Sequence, residues 1–258
     1  MIVTKDFPFT PANSSRTLHI YLPDDYYQSQ EAYPCMYYFD GQNLFFDYEA
    51  SFGTSWGLKD FLDVWPKKMI VVGIECSHQG NQRLAEYSPY SFFEEPFGQI
   101  EAYGKETLSW LVSELKPYID QKFRTYPFRE ATGIAGSSMG GLMAAYAGIA
   151  FNNYFSKMAC LSSALSFNFE ELMTDLDKQE LDADSRFYLS VGQLEAQANQ
   201  NQLDLFQTPA VKRNLSLEAA LQAKGAQTYF YLQEYGQHNE ASWQEQNQRY
   251  LEFLWFKN

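Results

Sequence analysis

The sequence predicts an α/β fold in which a mostly parallel sheet is covered by helices on both faces. Apolar runs without alternation, such as 33–39 and 69–74, are typical of strands that are buried on both faces. These runs alternate along the chain with segments of helical spacing, which is the order that a parallel sheet with crossover helices produces. With 258 residues and no Pro/Gly/Ser-rich linker, the chain is expected to form a single domain over 1–258.

The elements follow from apolar spacing and from the turn residues between them. An alternating strand is predicted over 15–23, and buried strands are predicted over 33–39, 69–74, 131–135, 157–163, 186–191 and 228–232. Helices are predicted over 56–65, from 100 to a break at Pro117, and over 141–147, 169–178, 215–224 and 243–255.

The segment 77–98 has no clear period but is rich in Tyr and Phe. A loop of this length in a compact domain is usually functional, so we expect it to cover a pocket with its aromatic side chains. The alternative is a small aromatic cluster packed beneath a long loop.

Composition excludes several classes of function. The net charge of -13 makes nucleic acid an unfavourable partner, because phosphate binding needs clustered Lys and Arg. No stretch approaches 18 apolar residues, so no spanning helix is predicted, and the first residues carry no signal-peptide pattern. Three cysteines in apolar runs indicate buried, reduced thiols, which favours a cytoplasmic protein. The sequence leaves a homo-oligomer open.

The pentapeptide 136–140, Gly-Ser-Ser-Met-Gly, lies between an apolar run and a stretch of small residues. Strand, sharp turn and helix form the setting of a nucleophile elbow, in which the central serine, here Ser138, is exposed above the sheet. Gly136 and Gly140 fit that turn because side chains there would collide with the neighbouring strand or helix. The alternative is a Gly-rich turn with a buried serine.

A serine hydroxyl needs a base to take its proton and an acid to orient that base. His238 follows the strand 228–232 and Glu195 follows the strand 186–191, so both are expected at the edge of the sheet that carries Ser138. The order Ser, Glu, His is that of the α/β-hydrolase triad. Asp204 in the same loop as Glu195, and Glu170 or Asp175 after the preceding strand, remain alternatives for the acid.

The oxyanion formed during attack on an ester also needs donors. In this fold they are the backbone N–H of the residue after the nucleophile, here Met139, and one from the loop after the third strand, where we favour Gln42 and then Gly41. No metal and no cofactor is expected. Cys76-Ser77-His78 is an isolated pair of potential ligands, and no phosphate-cradling or dinucleotide glycine motif occurs.

The chain resembles the esterase D-like group of α/β hydrolases, which includes enterochelin esterases, feruloyl esterases, S-formylglutathione hydrolases and mycolyltransferases. The resemblance covers nearly the whole chain and rests on segments 15–23, 40–45, 71–74, 83–89, 114–119, 136–142 and 236–239 with Trp243. It implies that Ser138 is the nucleophile, His238 the base and segment 192–195 the acid site, with Glu195 where many members have Asp. Leu142 stands where the S-formylglutathione hydrolases have His, which disfavours that activity.

The resemblance and the aromatic segment together suggest five substrate-binding candidates: Gly41, Arg83, Glu86, Tyr87 and Trp243. Arg83 offers a fork for a carboxylate or phenolate, and a structural ion pair is the alternative for both Arg83 and Glu86. The expected protein is a cytoplasmic serine carboxylesterase that acts on a small ester with an aromatic or apolar moiety. Acyl transfer or thioester hydrolysis by the same triad, and a non-catalytic binding module, are the alternatives.

Overall fold

The computed structural model describes residues 1–197 and 204–256. Its strands are β1 Ile2–Phe9, β2 Ser14–Tyr21, β3 Cys35–Phe39, β4 Ile70–Ile74, β5 Phe92–Glu94, β6 Gly98–Ile100, β7 Thr132–Ser137, β8 Lys157–Leu161, β9 Arg186–Gly192 and β10 Gln227–Gln233. Its helices are α1 Leu58–Val64, α2 Gln82–Glu86, α3 Gly104–Trp110, α4 Lys116–Lys122, α5 Met139–Ala150, α6 Phe169–Lys178, α7 Gln193–Gln197, α8 Pro209–Ala223, α9 Glu240–Gln244 and α10 Asn247–Trp255.

Eight strands form one sheet in the order β1-β2-β4-β3-β7-β8-β9-β10. The six strands β4, β3, β7, β8, β9 and β10 run parallel, and β2 pairs antiparallel with both β1 and β4. Strand β1 was not predicted, since as an edge strand it is mostly half-buried or exposed and lacks a continuous apolar run. The carboxyl ends of the parallel strands meet at one edge, which is where open α/β sheets place their ligands.

Helices cover both faces of the sheet, as predicted. One face packs on α3 to α6 and α8 through a large apolar cluster that includes Leu108, Leu142 and Leu217. The other face packs on α1 and α10 through a second cluster that includes Leu62 and Tyr250. Alternate residues of each central strand enter opposite clusters, which explains why these strands read as unbroken apolar runs.

Two local features differ from the predictions. Segment 77–98 is not structureless, because it contains α2 and most of a β5–β6 hairpin. Pro117 does not end the helix: it lies in the first turn of α4, which continues from α3 through a π-helical turn at Leu111–Leu115. The helical bonding continues up to the proline, because the Lys116 N–H donates to Leu111 O across the π-helical turn.

The three cysteines, Cys35, Cys76 and Cys160, are buried free thiols, as predicted. Burial raises the pKa of each thiol, so none is an activated nucleophile. Within 1–197 and 204–256, the helices are all too short or too polar to cross a bilayer.

Candidate active site

Ser138 occupies the strained turn between β7 and α5. Its backbone has φ 56° and ψ −121°, a conformation that a non-glycine residue adopts only when the surroundings enforce it. The Ser138 N–H donates to Leu161 O at 3.0 Å, and its carbonyl accepts from Ala164 at 2.9 Å, so strand β8 and the loop after it clamp the turn. A Cβ on Gly136 would come within 2.5 Å of the Gly140 backbone, which explains the glycines of the motif.

His238 and Glu195 meet at the ends of two neighbouring strands. His238 Nδ1 lies 2.8 Å from Glu195 Oε1, and Glu195 Oε2 accepts from the Gly192 N–H at 3.1 Å. The loops carrying them approach closely, since a Cβ on Gly192 would lie 2.3 Å from Gly236 O. The Leu194 N–H also donates to that oxygen at 3.0 Å. The Nδ1–H of His238 therefore donates to Glu195, and Nε2 is left to accept the proton of a reacting hydroxyl.

The other carboxylates considered as the acid have different partners. Asp204 Oδ1 accepts from the Phe206 N–H at 3.0 Å and caps a short 3₁₀ turn. Asp175 accepts from the Tyr90 hydroxyl at 2.7 Å, and Glu170 lies in the first turn of α6. The structure thus brings Glu195, and not Asp204, to His238.

Trp243 supports the histidine. Its ring meets the His238 ring edge to face, with centroids 5.2 Å apart and an interplanar angle of 83°. Its Nε1 donates to Ser162 Oγ at 3.0 Å, which fixes the indole from the far side. Ser162, at φ 43°, was missed by sequence reasoning, and no sequence pattern marks it.

Two backbone amides are available as donors beside Ser138. Neither the Met139 N–H nor the Gln42 N–H has a hydrogen-bond partner among the described residues. Met139 begins the twelve-residue helix α5, whose dipole adds positive potential there. Gln42 lies in a 3₁₀ turn after β3, and its neighbour Gly41 touches β4 so closely that a Cβ would lie 2.5 Å from the Gly73 backbone.

Asp40 anchors that turn, and in the sequence it stood out only as part of the segment 40–45. It is buried at φ 57°, and its carboxylate takes both arms of the Arg83 fork, Nε and Nη2 each at 2.7 Å. Its N–H donates to the Tyr87 hydroxyl at 3.2 Å. A bidentate pair of this kind fixes orientation as well as charge. Arg83 therefore contacts Asp40 with the fork that the sequence suggested for a substrate anion.

Glu86 and Tyr87 do not reach the site's open space. Glu86 is 1% exposed and pairs with the guanidinium of Arg16, and its other oxygen accepts from the Ser77 N–H at 2.7 Å. Tyr87 is 2% exposed and packs edge to face on Phe39 with centroids 4.8 Å apart. Their environments are structural, in contrast to the substrate contact expected from the sequence.

The same holds for most aromatic side chains of segment 77–98. Tyr90 and Phe92 pack on Tyr146 and Phe167, while Phe93 and Phe97 are exposed. The structure thus favours the aromatic cluster that was the alternative for this segment. The spacing of aromatic residues in the sequence could not distinguish side chains that line a pocket from side chains that pack beneath the loop.

Two clefts meet at Ser138 and His238. The large cleft, about 560 Å³, is lined by Gln42, Cys76, Arg83, Trp243 and neighbouring residues. The small cleft, about 310 Å³, is lined on the other side by Ser163, Phe167, Ala210, Arg213, Asn214 and neighbouring residues. The large cleft is within the size range of small-molecule sites.

Among residues 1–197 and 204–256 no cluster of three or more metal-ligating side chains occurs. His78, which the sequence paired with Cys76, instead contacts Glu75 Oε1 through Nε2 at 3.0 Å.

The family model described as "Putative esterase" matches residues 10–251. The chain belongs to this esterase family. It is a hydrolase with an esterase function, and the resemblance read from its motifs is confirmed.

Three relatives illustrate the range of the family resemblance. A Bacillus subtilis (strain 168) protein called Uncharacterized protein YbbA is 23% identical over 214 residues, covering 82% of this chain and 80% of that protein. An IroE-like serine hydrolase from Shewanella oneidensis superposes with a TM-score of 0.77 at 21% identity, covering 97% of this chain and 80% of the other. The enterobactin esterase FES from Shigella flexneri gives 0.72 at 19%, covering 99% of this chain and 59% of that one. These structural likenesses confirm the α/β-hydrolase fold.

Proposed function

We propose that this protein is a serine carboxylesterase that forms an acyl-enzyme on Ser138. The observation that carries the proposal is the meeting, at one sheet edge, of a strained serine with the His238–Glu195 pair, in which His238 lines both clefts beside Ser138 and Glu195 lines the small one. A serine alone at such a turn would be a weak nucleophile.

In the proposed mechanism, Ser138 Oγ attacks the ester carbonyl carbon and His238 Nε2 takes its proton. The Glu195 carboxylate, at 2.8 Å from Nδ1, stabilises the imidazolium that forms. The Met139 and Gln42 amides donate to the oxyanion, since both are free of other partners in the described parts of the chain. His238 then returns the proton to the leaving alcohol as the C–O bond breaks, and water repeats the sequence to release the acid.

We propose a small ester as the substrate. A cleft of about 560 Å³ accommodates a drug-sized molecule, and its walls include the Trp243 indole and the exposed ring of Phe52. These rings offer apolar contact to an aromatic or short aliphatic group. Long acyl chains would extend beyond this space.

The test is turnover of 4-nitrophenyl and naphthyl esters of increasing acyl length, together with stoichiometric labelling by a fluorophosphonate. We expect one label per chain and a kcat/KM that is highest for short or aromatic acyl groups. Absence of both labelling and hydrolysis in the folded protein would favour a non-catalytic binding module. If products form only when an alcohol acceptor is added, acyl transfer is the function instead.

A further inference from the structure

The small cleft carries a positive charge that the fold does not neutralise. Arg213 on α8 lines it, half-buried, and makes no ion pair or hydrogen bond with another described residue. The six residues 198–203, Ala-Asn-Gln-Asn-Gln-Leu, contain no carboxylate that could serve as a partner. Arg124, Arg186 and Arg249 also lack a carboxylate partner, but each donates to a backbone carbonyl or a tyrosine hydroxyl, whereas the Arg213 side chain has no such partner among the described residues.

Among the described residues that line the small cleft, the one carboxylate is already engaged. Glu195 bonds His238 through Oε1 and the Gly192 N–H through Oε2, at 2.8 and 3.1 Å. Its charge is required beside the histidine when the imidazolium forms. Arg213 therefore remains available to a ligand.

Two further polar groups in the cleft lack partners. Asn214, 2% exposed, donates through Nδ2 to Ala210 O at 3.0 Å, but its Oδ1 is unpartnered among the described residues. The Ser163 hydroxyl is likewise buried without a partner there. Both oxygen atoms are themselves buried, and Asn214 Oδ1 can only accept, so they make the wall of this cleft polar without contacting an anion directly.

The larger cleft has a different balance of charge. There Arg83 is fully engaged by Asp40, and Glu240 adds a second acidic side chain to the lining. In the large cleft the two carboxylates of Asp40 and Glu240 stand against the single guanidinium of Arg83, whereas in the small cleft the one carboxylate of Glu195 among the described residues is matched by Arg213. The charges thus favour the small cleft for a negatively charged group.

We propose that the small cleft binds a carboxylate group of the substrate through the Arg213 guanidinium, so that carboxylate-bearing esters are the preferred substrate class. The proposal rests on the esterase function proposed above, because both clefts meet at Ser138. A guanidinium fork matches the planar geometry of a carboxylate. Hydrogen bonds to charged groups contribute enough to discriminate between a carboxylate and a neutral group of the same shape.

The test uses two pairs of esters that place the carboxylate on opposite sides of the scissile bond. One pair is 4-acetoxybenzoate and 4-acetoxybenzamide, and the other is the 4-nitrophenyl ester of 4-carboxybenzoate and that of 4-carbamoylbenzoate. Within each pair the members differ only in charge and in the planar end group. We expect Arg213→Gln to lower kcat/KM for the carboxylate member of one pair by about 10- to 100-fold relative to its amide. Arg213→Lys should retain part of the preference.

Lys212→Gln is the matched control, because it removes the same charge from an exposed neighbour on α8 that lines neither cleft. It should leave the ratio of each pair unchanged. The proposal is overturned if Arg213→Gln changes both members of both pairs equally, or if Lys212→Gln has the same effect. Fluorophosphonate labelling separates the two levels: normal labelling without a charge effect rejects only the carboxylate subsite, whereas no labelling of the wild type rejects the esterase function and this proposal with it.

Discussion

The two clefts that meet at Ser138 differ in how their charges are used. In the large cleft, the Arg83 guanidinium is held at 2.7 Å by both oxygens of Asp40, so its charge serves to fix the turn that carries Gln42. In the small cleft, Arg213 has no partner within the described residues and can serve a ligand. The same residue type therefore has a structural task on one side of the nucleophile and a proposed recognition task on the other.

Replacing Ser138 or His238 should have the largest effect, because both residues line both clefts. We expect Ser138→Ala and His238→Ala each to lower kcat by about 10⁴-fold or more, and the double variant to be little worse, since triad members act as a unit. Steady-state turnover of a 4-nitrophenyl ester measures this, with circular dichroism as the control for folding. Activity above a few per cent of wild type in Ser138→Ala would mean that Ser138 is not the nucleophile shared by the two clefts.

Changing the acid should have the next largest effect. Glu195→Gln keeps the size of the side chain but removes the charge beside His238, so we expect kcat to fall by about 10- to 10⁴-fold. Asp204→Asn is the control, because Asp204 caps a 3₁₀ turn and should affect activity little. A silent Glu195→Gln combined with an impaired Asp204→Asn would show that the acid lies elsewhere.

Separating the Asp40–Arg83 pair tests the structural role of the large cleft directly. Asp40→Asn or Arg83→Gln should let the Gln42 amide move away from the oxyanion, and we expect kcat to fall by about 10- to 100-fold with a smaller change in KM. The double variant should resemble either single one.

The carboxylate and carboxamide esters distinguish the roles of Arg83 and Arg213 most clearly. Arg83→Gln should slow both members of each pair by the same factor, whereas Arg213→Gln should not. Selective loss of the carboxylate esters in Arg83→Gln would mean that Arg83 binds substrate, and the contrast between the clefts would fail.

Replacing Glu240 should have the smallest effect, and it tests how the burial and negative charge of the large cleft change the pKa of a carboxyl group. Burial, and then the negative charge of Asp40, raise the pKa of Glu240 above its usual value of 4.5. The stabilising contribution of the protonated form is complete below pH 4.5 and is lost as pH rises through the folded-state pKa. Glu240→Gln mimics the protonated form, and its amide oxygen can still accept from Asn43 Nδ2, now at 3.3 Å from the carboxylate.

We therefore expect Glu240→Gln to raise the melting temperature by a few degrees at pH 7.5 and by less at pH 4.5. Thermal denaturation of the variant and wild type at both pH values measures the difference. A constant difference across this range would contradict the raised pKa.

Much of the fold was predictable because its strands are buried on both faces. Unbroken apolar runs such as 69–74 have few interpretations, and the observed β4, Ile70–Ile74, follows the run closely. Helix α6, Phe169–Lys178, agrees with its predicted range because its apolar spacing is regular. Edge strand β1 was missed because its pairing with β2 depends on the backbone more than on apolar side chains.

The catalytic candidates were predictable for a different reason. Ser138, Glu195 and His238 each follow a recognisable strand, and parallel strands bring their carboxyl ends together. The walls of the clefts were not predictable, because which side chain faces a cleft depends on distant partners. Arg83 pairs with Asp40, which lies 43 residues away in the sequence. Arg213 has no side-chain partner in the part of the chain that the structure describes, and nothing in the sequence of its helix indicates this.

The most direct test of the account is to identify the residue that carries the acyl group. The protein would be quenched in acid during turnover of 4-nitrophenyl acetate, digested with pepsin and sequenced by tandem mass spectrometry, with Ser138→Ala treated in parallel. We predict acetylation of Ser138 in the wild type, at a level that rises with substrate to saturation, and no acetylated peptide from this turn in Ser138→Ala. Turnover that continues with an unmodified Ser138, or with the acetyl group on another residue, would contradict the account.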